Sequence, residues 1–209
     1  MKTPKKVHYF LVLMSLTAFL YLAIYFYYGP LRSSLIVHNG HTPFLDWLYT
    51  AFTKLGEWVG ILILVIIFLV NRAYKWIGFS AILLALTGLL SYLFKIYLYP
   101  NSPRPRKLLA DDNLIHMLEW IHINSEHSFP SGHTLMAVTC ATILAFYFRR
   151  NVKIVIALWI IASLAGLSRV YLFQHFFIDV ATSILIALFV SSLLIYLFRN
   201  YLLDKNETI

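Results

Sequence analysis

The sequence predicts an all-α integral membrane protein: a bundle of six transmembrane helices with a short interfacial helix in the long loop before the fourth span. Two observations support this prediction. Of the 209 residues, 60% are hydrophobic and only 12% are charged, which is far more apolar than an ordinary soluble domain. The apolar residues also form long runs, several of which reach the roughly 20 residues that a helix needs to cross a bilayer.

Six apolar runs follow one another along the chain, and uncharged flanking turns can complete the shorter ones. They are Tyr9–Tyr28, Trp58–Val70, Trp76–Leu98, Thr134–Phe148, Ile154–Leu167 and Phe176–Phe198. No linker or low-complexity tract divides them, so residues 1–209 are expected to form one domain. The first run is long, rich in aromatic residues and without a small-residue cleavage site, so we expect an uncleaved span rather than a secretory signal.

Two connections are predicted to lie at the membrane surface. Leu31–Lys54 mixes polar and apolar residues, which is typical of an interfacial segment. The long connection Tyr99–Pro130 opens with closely spaced prolines that prevent a continuous helix. Farther along, Leu114–Ile123 has apolar residues at helical spacing and is the predicted interfacial helix.

The basic residues divide into two groups. With six spans both termini lie on one side, and ten basic residues occupy tails and short loops there: Lys2, Lys5, Lys6, Arg72, Lys75, Arg149, Arg150, Lys153, Arg199 and Lys205. The positive-inside rule makes that side cytoplasmic. The other seven mostly flank the long connection: Arg32, Lys54, Lys95, Arg104, Arg106, Lys107 and Arg169. Their clustering predicts an anion site at the outer face, whereas nucleic acid binding has little support.

Charged and polar side chains interrupt the apolar sequence at the predicted outer ends of the last two spans. His175 and Asp179 are four residues apart and therefore share one face of a helix. The Asp179 carboxylate can hold one imidazole nitrogen of His175 and leave the other unprotonated as a nucleophile. Arg169 ends the fifth span, where its guanidinium can bind phosphate oxygens.

A second cluster opens the fourth span. Ser131 and Gly132 place backbone N–H groups at a helix N-terminus, where an anion is favoured. His133 can protonate a leaving oxygen as a general acid. Lys95 and Arg104 would complete a cationic cradle. The two clusters together predict phosphoryl transfer in which cations and backbone donors, rather than a metal, stabilise the charge.

These residues resemble the three signature motifs of the type 2 phosphatidic-acid phosphatase superfamily, which also includes vanadium haloperoxidases and glucose-6-phosphatase. The matching segments are Arg104-Pro105, Pro130-Ser131-Gly132-His133, and Ser168-Arg169 followed by His175 and Asp179. The last two match in both residue identity and spacing. The six-span layout resembles the membrane branch, that of the bacterial phosphatidylglycerophosphate and undecaprenyl pyrophosphate phosphatases.

The resemblance implies a role for each matching residue. His175 attacks phosphorus to form a phosphohistidine, Asp179 holds it, and His133 is the general acid. The phosphoryl oxygens are bound by Lys95, Arg104, Ser131, Gly132 and Arg169. The family works without a metal, so no cofactor is expected.

The first motif departs from the family pattern at its lysine. Lys95 precedes Arg104 by nine residues, two more than in the family. Either a two-residue bulge in Pro100–Pro103 restores the geometry, or Arg106 or Lys107 takes the place of the lysine. We favour the bulge.

The predicted function is therefore a membrane lipid phosphatase that removes the terminal phosphate of a lipid (pyro)phosphate. We expect it in a bacterial-type inner membrane, with the active site on the outer side and both termini cytoplasmic. Undecaprenyl pyrophosphate is the leading substrate, and phosphatidylglycerophosphate, phosphatidic acid and the 1-phosphate of lipid A are alternatives. The expected partners are the substrate and membrane lipids, and the oligomeric state is not predicted.

Two other classes stay open at this point. A non-enzymatic transporter or scaffold can hold Lys95, Arg169 and Asp179 as a buried ion network, although transport favours polar residues near the middle of the membrane. Peroxidase chemistry on bound vanadate fits an oxyanion cradle but not so membranous a chain.

The remaining histidines and acids receive no catalytic role. Several in the long connection match no compact metal-ligand pattern, so a solvated or headgroup-contacting surface is predicted for them: Asp111, Asp112, His116, Glu119, His122, Glu126 and His127. His38 and His41 are expected to be interfacial residues.

Overall fold

The structure is a computed structural model that describes residues 5–109, 115–116, 118–121 and 125–202. Within these residues the chain forms helices and no strand, as the predicted all-α class requires. The helices are α1 (Lys5–Tyr28), α2 (Pro30–His38), α3 (Pro43–Lys54), α4 (Trp58–Val70), α5 (Tyr74–Leu93), α6 (Gly132–Tyr147), α7 (Val152–Tyr171), α8 (Phe177–Leu197) and α9 (Arg199–Leu202).

Four helical segments are long and apolar enough to cross a membrane: Lys6–Tyr28, Tyr74–Leu98, Val152–Tyr171 and Phe177–Leu197. Together, α3 and α4 make a fifth candidate that is bent by 60°. The apolar helix α6 has only 16 residues, about 24 Å at 1.5 Å per residue. The described residues thus give four to five candidate spans by length and composition, and the predicted number of six is not confirmed.

The apolar helix α6 lies at the centre of the bundle. It packs against α5, α7 and α8, and most of its side chains are buried. An apolar helix with no polar face belongs in the interior. Close packing around it depends on Gly166 of α7, because a Cβ there would lie 3.1 Å from Val180 Cγ1 of α8 and 3.5 Å from Thr134 Cγ2 of α6.

The outside of the bundle is apolar. Phe19, Ile82 and Phe189, on three different helices, are 60%, 67% and 69% exposed. Exposed apolar surface on this scale marks contact with another apolar phase. In a chain with helices of this length, that phase is the hydrocarbon of the membrane.

The segment predicted to be interfacial, Leu31–Lys54, folds into α2 and α3. Pro30 and Pro43 occupy the first positions of these helices, where the missing N–H costs nothing. The Thr42 side chain caps α3 by accepting a hydrogen bond from the Leu45 N–H at 3.2 Å.

The predicted interfacial helix Leu114–Ile123 falls partly outside the described residues, which lack positions 114, 117, 122 and 123. In the described part, the Ile121 N–H donates to the Leu118 carbonyl at 2.9 Å in a turn. Residues 115–116 and 118–121 show no helix. The surface helix is therefore not confirmed.

Basic residues lie at both ends of the bundle, in different settings. At one end, where α1 begins and α6 meets α7, Lys6 Nζ donates to the Arg150 carbonyl at 2.7 Å. Lys75, at the start of α5, lies over the Tyr201 ring at 5.9 Å. The opposite end holds the starts of α6 and α8 and the ends of α5 and α7. Both motif clusters lie there, opposite the basic turns.

Candidate active site

His175 and Asp179 meet in a buried pair. His175 lies between α7 and α8, is 1% exposed, and places Nδ1 3.5 Å from Asp179 Oδ2. That carboxylate oxygen also accepts hydrogen bonds from the Phe176 N–H at 2.9 Å and the Ser128 hydroxyl at 2.5 Å. Because Nδ1 faces the carboxylate, Nε2 is the nitrogen left for a substrate.

Burial and neighbouring cations keep His175 neutral. Its pKa lies well below the usual range, first because the ring is buried and then because of the positive charges of Arg104, Arg169 and Lys95. His133 also lowers the pKa of His175. A neutral imidazole is the nucleophilic form of histidine, so the surroundings favour the form that can attack phosphorus.

Arg169, in the last turn of α7, is a buried cation with an unused donor. It is 5% exposed, and its Nη1 donates to the Thr53 hydroxyl of α3. Its buried Nε has no hydrogen-bond partner among the described residues. A buried donor without a partner costs on the order of 1–3 kcal/mol, and a bound oxyanion would satisfy it.

Arg104 ties the long connection to the segment that carries His175. Its Nε donates to the Glu126 carbonyl at 2.9 Å, and its Nη1 donates to Gln174 Oε1 at 2.7 Å. Gln174 immediately precedes His175, so these bonds fix the guanidinium beside the nucleophile. Burial lowers the pKa of Arg104, and the Asp179 carboxylate opposes that shift.

Lys95 reaches the start of α6 despite its irregular spacing in the sequence. It lies in a π-helical turn, Phe94–Leu98, and a Cβ on Gly132 would lie 3.7 Å from its Nζ. The expected bulge was in Pro100–Pro103, whereas the backbone irregularity begins earlier, at Phe94. A π-helical turn changes the register of the following residues, and Lys95 is the lysine found beside Gly132.

The first turn of α6 presents backbone donors to the same space. Ser131 is the N-cap, and its hydroxyl accepts from the Thr134 N–H at 3.4 Å. The N–H groups of Gly132 and His133 have no intrahelical acceptor, because they belong to the first turn. The N–H of Ser131 itself is directed to the Asp179 carbonyl at 3.5 Å, so this one donor already has a partner inside the protein.

His133 pairs with a carboxylate that the sequence analysis did not identify. Its Nε2 lies 3.4 Å from Glu57 Oε1, and Glu57 Oε2 accepts from Lys54 Nζ at 3.3 Å. Gly56 makes this contact sterically possible, because a Cβ there would lie 2.5 Å from the His133 carbonyl oxygen and 2.8 Å from its Cα. The corner between α3 and α4 therefore rests directly on the start of α6.

Four supporting residues were missed by the sequence analysis: Thr53, Glu57, Ser128 and Gln174. Glu57 carried a signal, since it is an isolated carboxylate at the start of the second apolar run. Ser128 and Gln174 lie within three residues of motif residues. Thr53 carried no signal at all.

All eight predicted site residues lie at one end of the bundle. They are Lys95, Arg104, Ser131, Gly132, His133, Arg169, His175 and Asp179. Preorganised cations and N–H donors in a space of low water content stabilise developing negative charge. A neutral imidazole among them, with a second imidazole nearby, forms an arrangement suited to attack on a phosphoryl group.

Comparison with known proteins supports phosphoryl-transfer chemistry at this site. The family model described as the PAP2 superfamily matches residues 76–202. The crystal structure of LpxE from Aquifex aeolicus has a TM-score of 0.68 and 29% identity, and the match covers 80% of this chain and 94% of that one. The transmembrane PAP2 type phosphatidylglycerolphosphate phosphatase from Bacillus subtilis has a TM-score of 0.61 and 22% identity, with 95% and 97% coverage. No curated protein matches the chain.

The matched region spans more than half of the chain and contains the three motifs. The chain belongs to the PAP2 superfamily. Its long apolar helices and its similarity to LpxE place it in the membrane lipid phosphatase branch of that family.

Proposed function

We propose that this protein hydrolyses the terminal phosphate of a lipid (pyro)phosphate through a phosphohistidine intermediate on His175. One observation carries the proposal: a buried, neutral His175 is held by Asp179 and surrounded by cations, of which Arg169 keeps a buried Nε without a partner among the described residues. That cluster offers a nucleophile and an anion site at the same place.

The reaction proceeds in two displacements. In the first, Nε2 of His175 attacks phosphorus, the bond from phosphorus to the lipid oxygen breaks, and His133 gives its proton to that oxygen. In the second, neutral His133 takes a proton from water, the resulting hydroxide attacks phosphorus, and the P–N bond breaks. Inorganic phosphate leaves, and both imidazoles return to their starting states.

Negative charge on the phosphoryl oxygens is stabilised by Lys95, Arg104 and Arg169 together with the free N–H groups at the start of α6. Loss of one such donor typically costs about 10²–10³ in kcat. Because three cations and backbone N–H donors stabilise this charge, no step of the proposed reaction requires a metal. We expect turnover to persist after treatment with a chelator, and a requirement for added divalent metal would contradict the proposal.

The proposed topology has six spans: the four long helices, the bent pair of α3 and α4, and α6. The central position of α6 supports its inclusion, because neighbouring helices cover a short span where lipid would not. The basic turns lie at the end opposite the site, so the positive-inside rule supports cytoplasmic termini and an active site on the outer side.

Undecaprenyl pyrophosphate is the proposed leading substrate, on the basis of the family resemblance and this topology. An active site at the ends of the helices, next to the exposed apolar surface of the bundle, would let the phosphate reach His175 while the tail stays in the membrane. A transporter with a buried ion network is less well supported, because the ionisable groups gather at one end of the helices rather than near their middle.

The proposal is tested by phosphate release from a panel of purified lipid phosphates: undecaprenyl pyrophosphate, phosphatidylglycerophosphate, phosphatidic acid and lipid A 1-phosphate. Release is expected from the wild-type protein and from H8A, a control at the basic end. H175A is expected to insert and fold but release no phosphate above background. Turnover by H175A, or none by the wild-type protein on any member, would contradict the proposed function.

A further inference from the structure

A second group of titratable side chains lies outside the phosphoryl pocket, where the long connection meets α2 and α3. His116 Nε2 lies 3.0 Å from Asp46 Oδ2. The rings of His41 and His116 stack with centroids 3.9 Å apart and an angle of 6° between their planes. One ligand atom from each of the three residues lies within 4.8 Å of the other two.

The surroundings already orient these side chains. The Tyr171 hydroxyl donates to Asp46 Oδ1 at 2.6 Å, which leaves Oδ2 facing the imidazoles. His38 Nδ1 lies 2.8 Å from the Tyr171 carbonyl, and His38 Nε2 accepts from the His116 N–H at 3.0 Å. His38 therefore carries its proton on Nδ1 and positions His116. Metal ligands are commonly held by outer hydrogen bonds of this kind.

We propose that His41, Asp46 and His116 bind a divalent transition-metal ion such as zinc, with water in the fourth position. Two imidazoles and one carboxylate are a donor set that zinc accepts. Zinc bonds of about 2.0–2.1 Å in tetrahedral geometry separate neighbouring ligand atoms by about 3.4 Å. The 3.0 Å gap between His116 and Asp46 needs only slight opening. His41 now stacks on His116, so its exposed ring must turn out of the stack before one of its nitrogens can point at the ion.

Charge and burial favour an ion at this position. Asp46 is 6% exposed, and a buried carboxylate is costly unless it is paired. A divalent cation would pair this carboxylate directly. Leu118, Ile121 and Leu172 line the adjoining cavity, so the ion would lie against an apolar wall that limits access of water.

Metal binding would fasten the long connection to α2 and α3. His116 belongs to that connection, whereas His41 and Asp46 belong to the helical segment before the second apolar run. None of the three residues is assigned to the phosphoryl site, and ion binding can be measured without turnover, so failure of one proposal is distinguishable from failure of the other.

The test is titration of Co²⁺ and Zn²⁺ into purified, chelator-stripped protein that carries no polyhistidine tag. We expect one ion per chain, with a tetrahedral Co²⁺ absorption band that Zn²⁺ abolishes. Asp46→Asn and His116→Ala should weaken binding by more than about 100-fold, and Tyr171→Phe, which removes an outer hydrogen bond, by about 10-fold. The control His8→Ala should bind as the wild-type protein does.

His41→Gln keeps the test decisive if the buried variants fail to fold, because His41 is exposed. It should fold normally and lose the Co²⁺ band, and Zn²⁺ should raise the unfolding temperature of the wild-type protein but not of this variant. Absence of a one-to-one site in the wild-type protein, or equal affinity in wild-type and His41→Gln proteins, would overturn the proposal.

Discussion

At the scale of single residues, the proposed chemistry depends on two imidazoles in different surroundings. His175 is buried among cations and neutral, as a nucleophile must be. The side chain of His133 is 34% exposed and lies beside the Glu57 carboxylate, as a residue that must carry a proton to the leaving group should. Both imidazoles lie near cations, and at His133 the Glu57 carboxylate opposes their effect by favouring the protonated form.

The first prediction concerns the acid side of the pH profile. Because burial and cations lower the pKa of His175, kcat/KM should stay high as pH falls below about 6.5, the ordinary histidine value. Arg104→Gln removes one of those positive charges, so the pKa of His175 should rise and the acid limb should move to higher pH. Profiles of both proteins with one substrate test this, and an unmoved limb in the variant would contradict it.

A second prediction concerns Glu57, which we infer to be a positioning residue that favours the protonated form of His133. Glu57→Gln should move the alkaline limb of the kcat profile to lower pH and reduce kcat by about 10-fold or more, within the 10²–10⁴ that general acids contribute. With a substrate whose leaving group needs little protonation, kcat of Glu57→Gln should be close to the wild-type value.

The control for Glu57 is Lys54→Met, which breaks a half-exposed ion pair of the kind worth about 0–1 kcal/mol. It should leave the alkaline limb almost unchanged. Equal losses with good and poor leaving groups in Glu57→Gln would show that Glu57 acts on structure rather than on acid catalysis.

At the scale of elements, the site is assembled where helix ends and one corner meet. The starts of α6 and α8, the end of α7 and the corner between α3 and α4 each contribute side chains. Gly56 lets the corner lie on α6, and Gly166 lets α7 approach α6 and α8. Small residues at such contacts determine how closely backbones approach.

A third prediction tests the corner. Gly56→Ala would place a Cβ against the backbone of His133, so the corner must move away from α6. Overpacking of this kind costs about 1–3 kcal/mol, and kcat should fall as it does for Glu57→Gln. Gly78→Ala in α5 is the control, because a Cβ there meets nothing within 4 Å. Thermal unfolding and kcat of both variants check this, and wild-type behaviour of Gly56→Ala would contradict it.

Local patterns in the sequence were sufficient for part of this arrangement. The four-residue spacing of His175 and Asp179 predicted their contact, but His175 precedes α8, so the two residues do not share a helix face as expected. The bounds of α4 coincide with an apolar run. The contact of Glu57 with His133 was not predictable from local patterns, since it joins segments that are distant in the sequence. The π-helical turn that carries Lys95 was not predictable either, because its cause lies in packing rather than in spacing.

In the molecule as a whole, the basic residues fall into two groups, one at each end of the bundle. Basic turns occupy one end and the candidate site the other, as the counts of lysine and arginine predicted. The number of spans was harder to predict, because the α3–α4 pair is bent and α6 is short but covered by its neighbours. Hydropathy indicates how long an apolar segment is, but it does not indicate which helix lies at the centre of the bundle.

A fourth prediction tests the topology. In a background in which the single cysteine, Cys140, is replaced by alanine, Leu108→Cys marks the site end and Asn71→Cys marks the basic end. A membrane-impermeant maleimide added to intact cells should label Leu108→Cys and spare Asn71→Cys until the membrane is opened. The reverse pattern would place the site in the cytoplasm.

Rapid-quench mapping of the covalent intermediate is the most direct test of whether His175 is the nucleophile. Wild-type protein is mixed with a lipid pyrophosphate that carries a radioactive terminal phosphate and is stopped in alkali, where phosphohistidine survives. We expect transient label on the peptide that contains His175 and none in His175→Ala. Turnover without any labelled protein, or label on His133 instead, would contradict it.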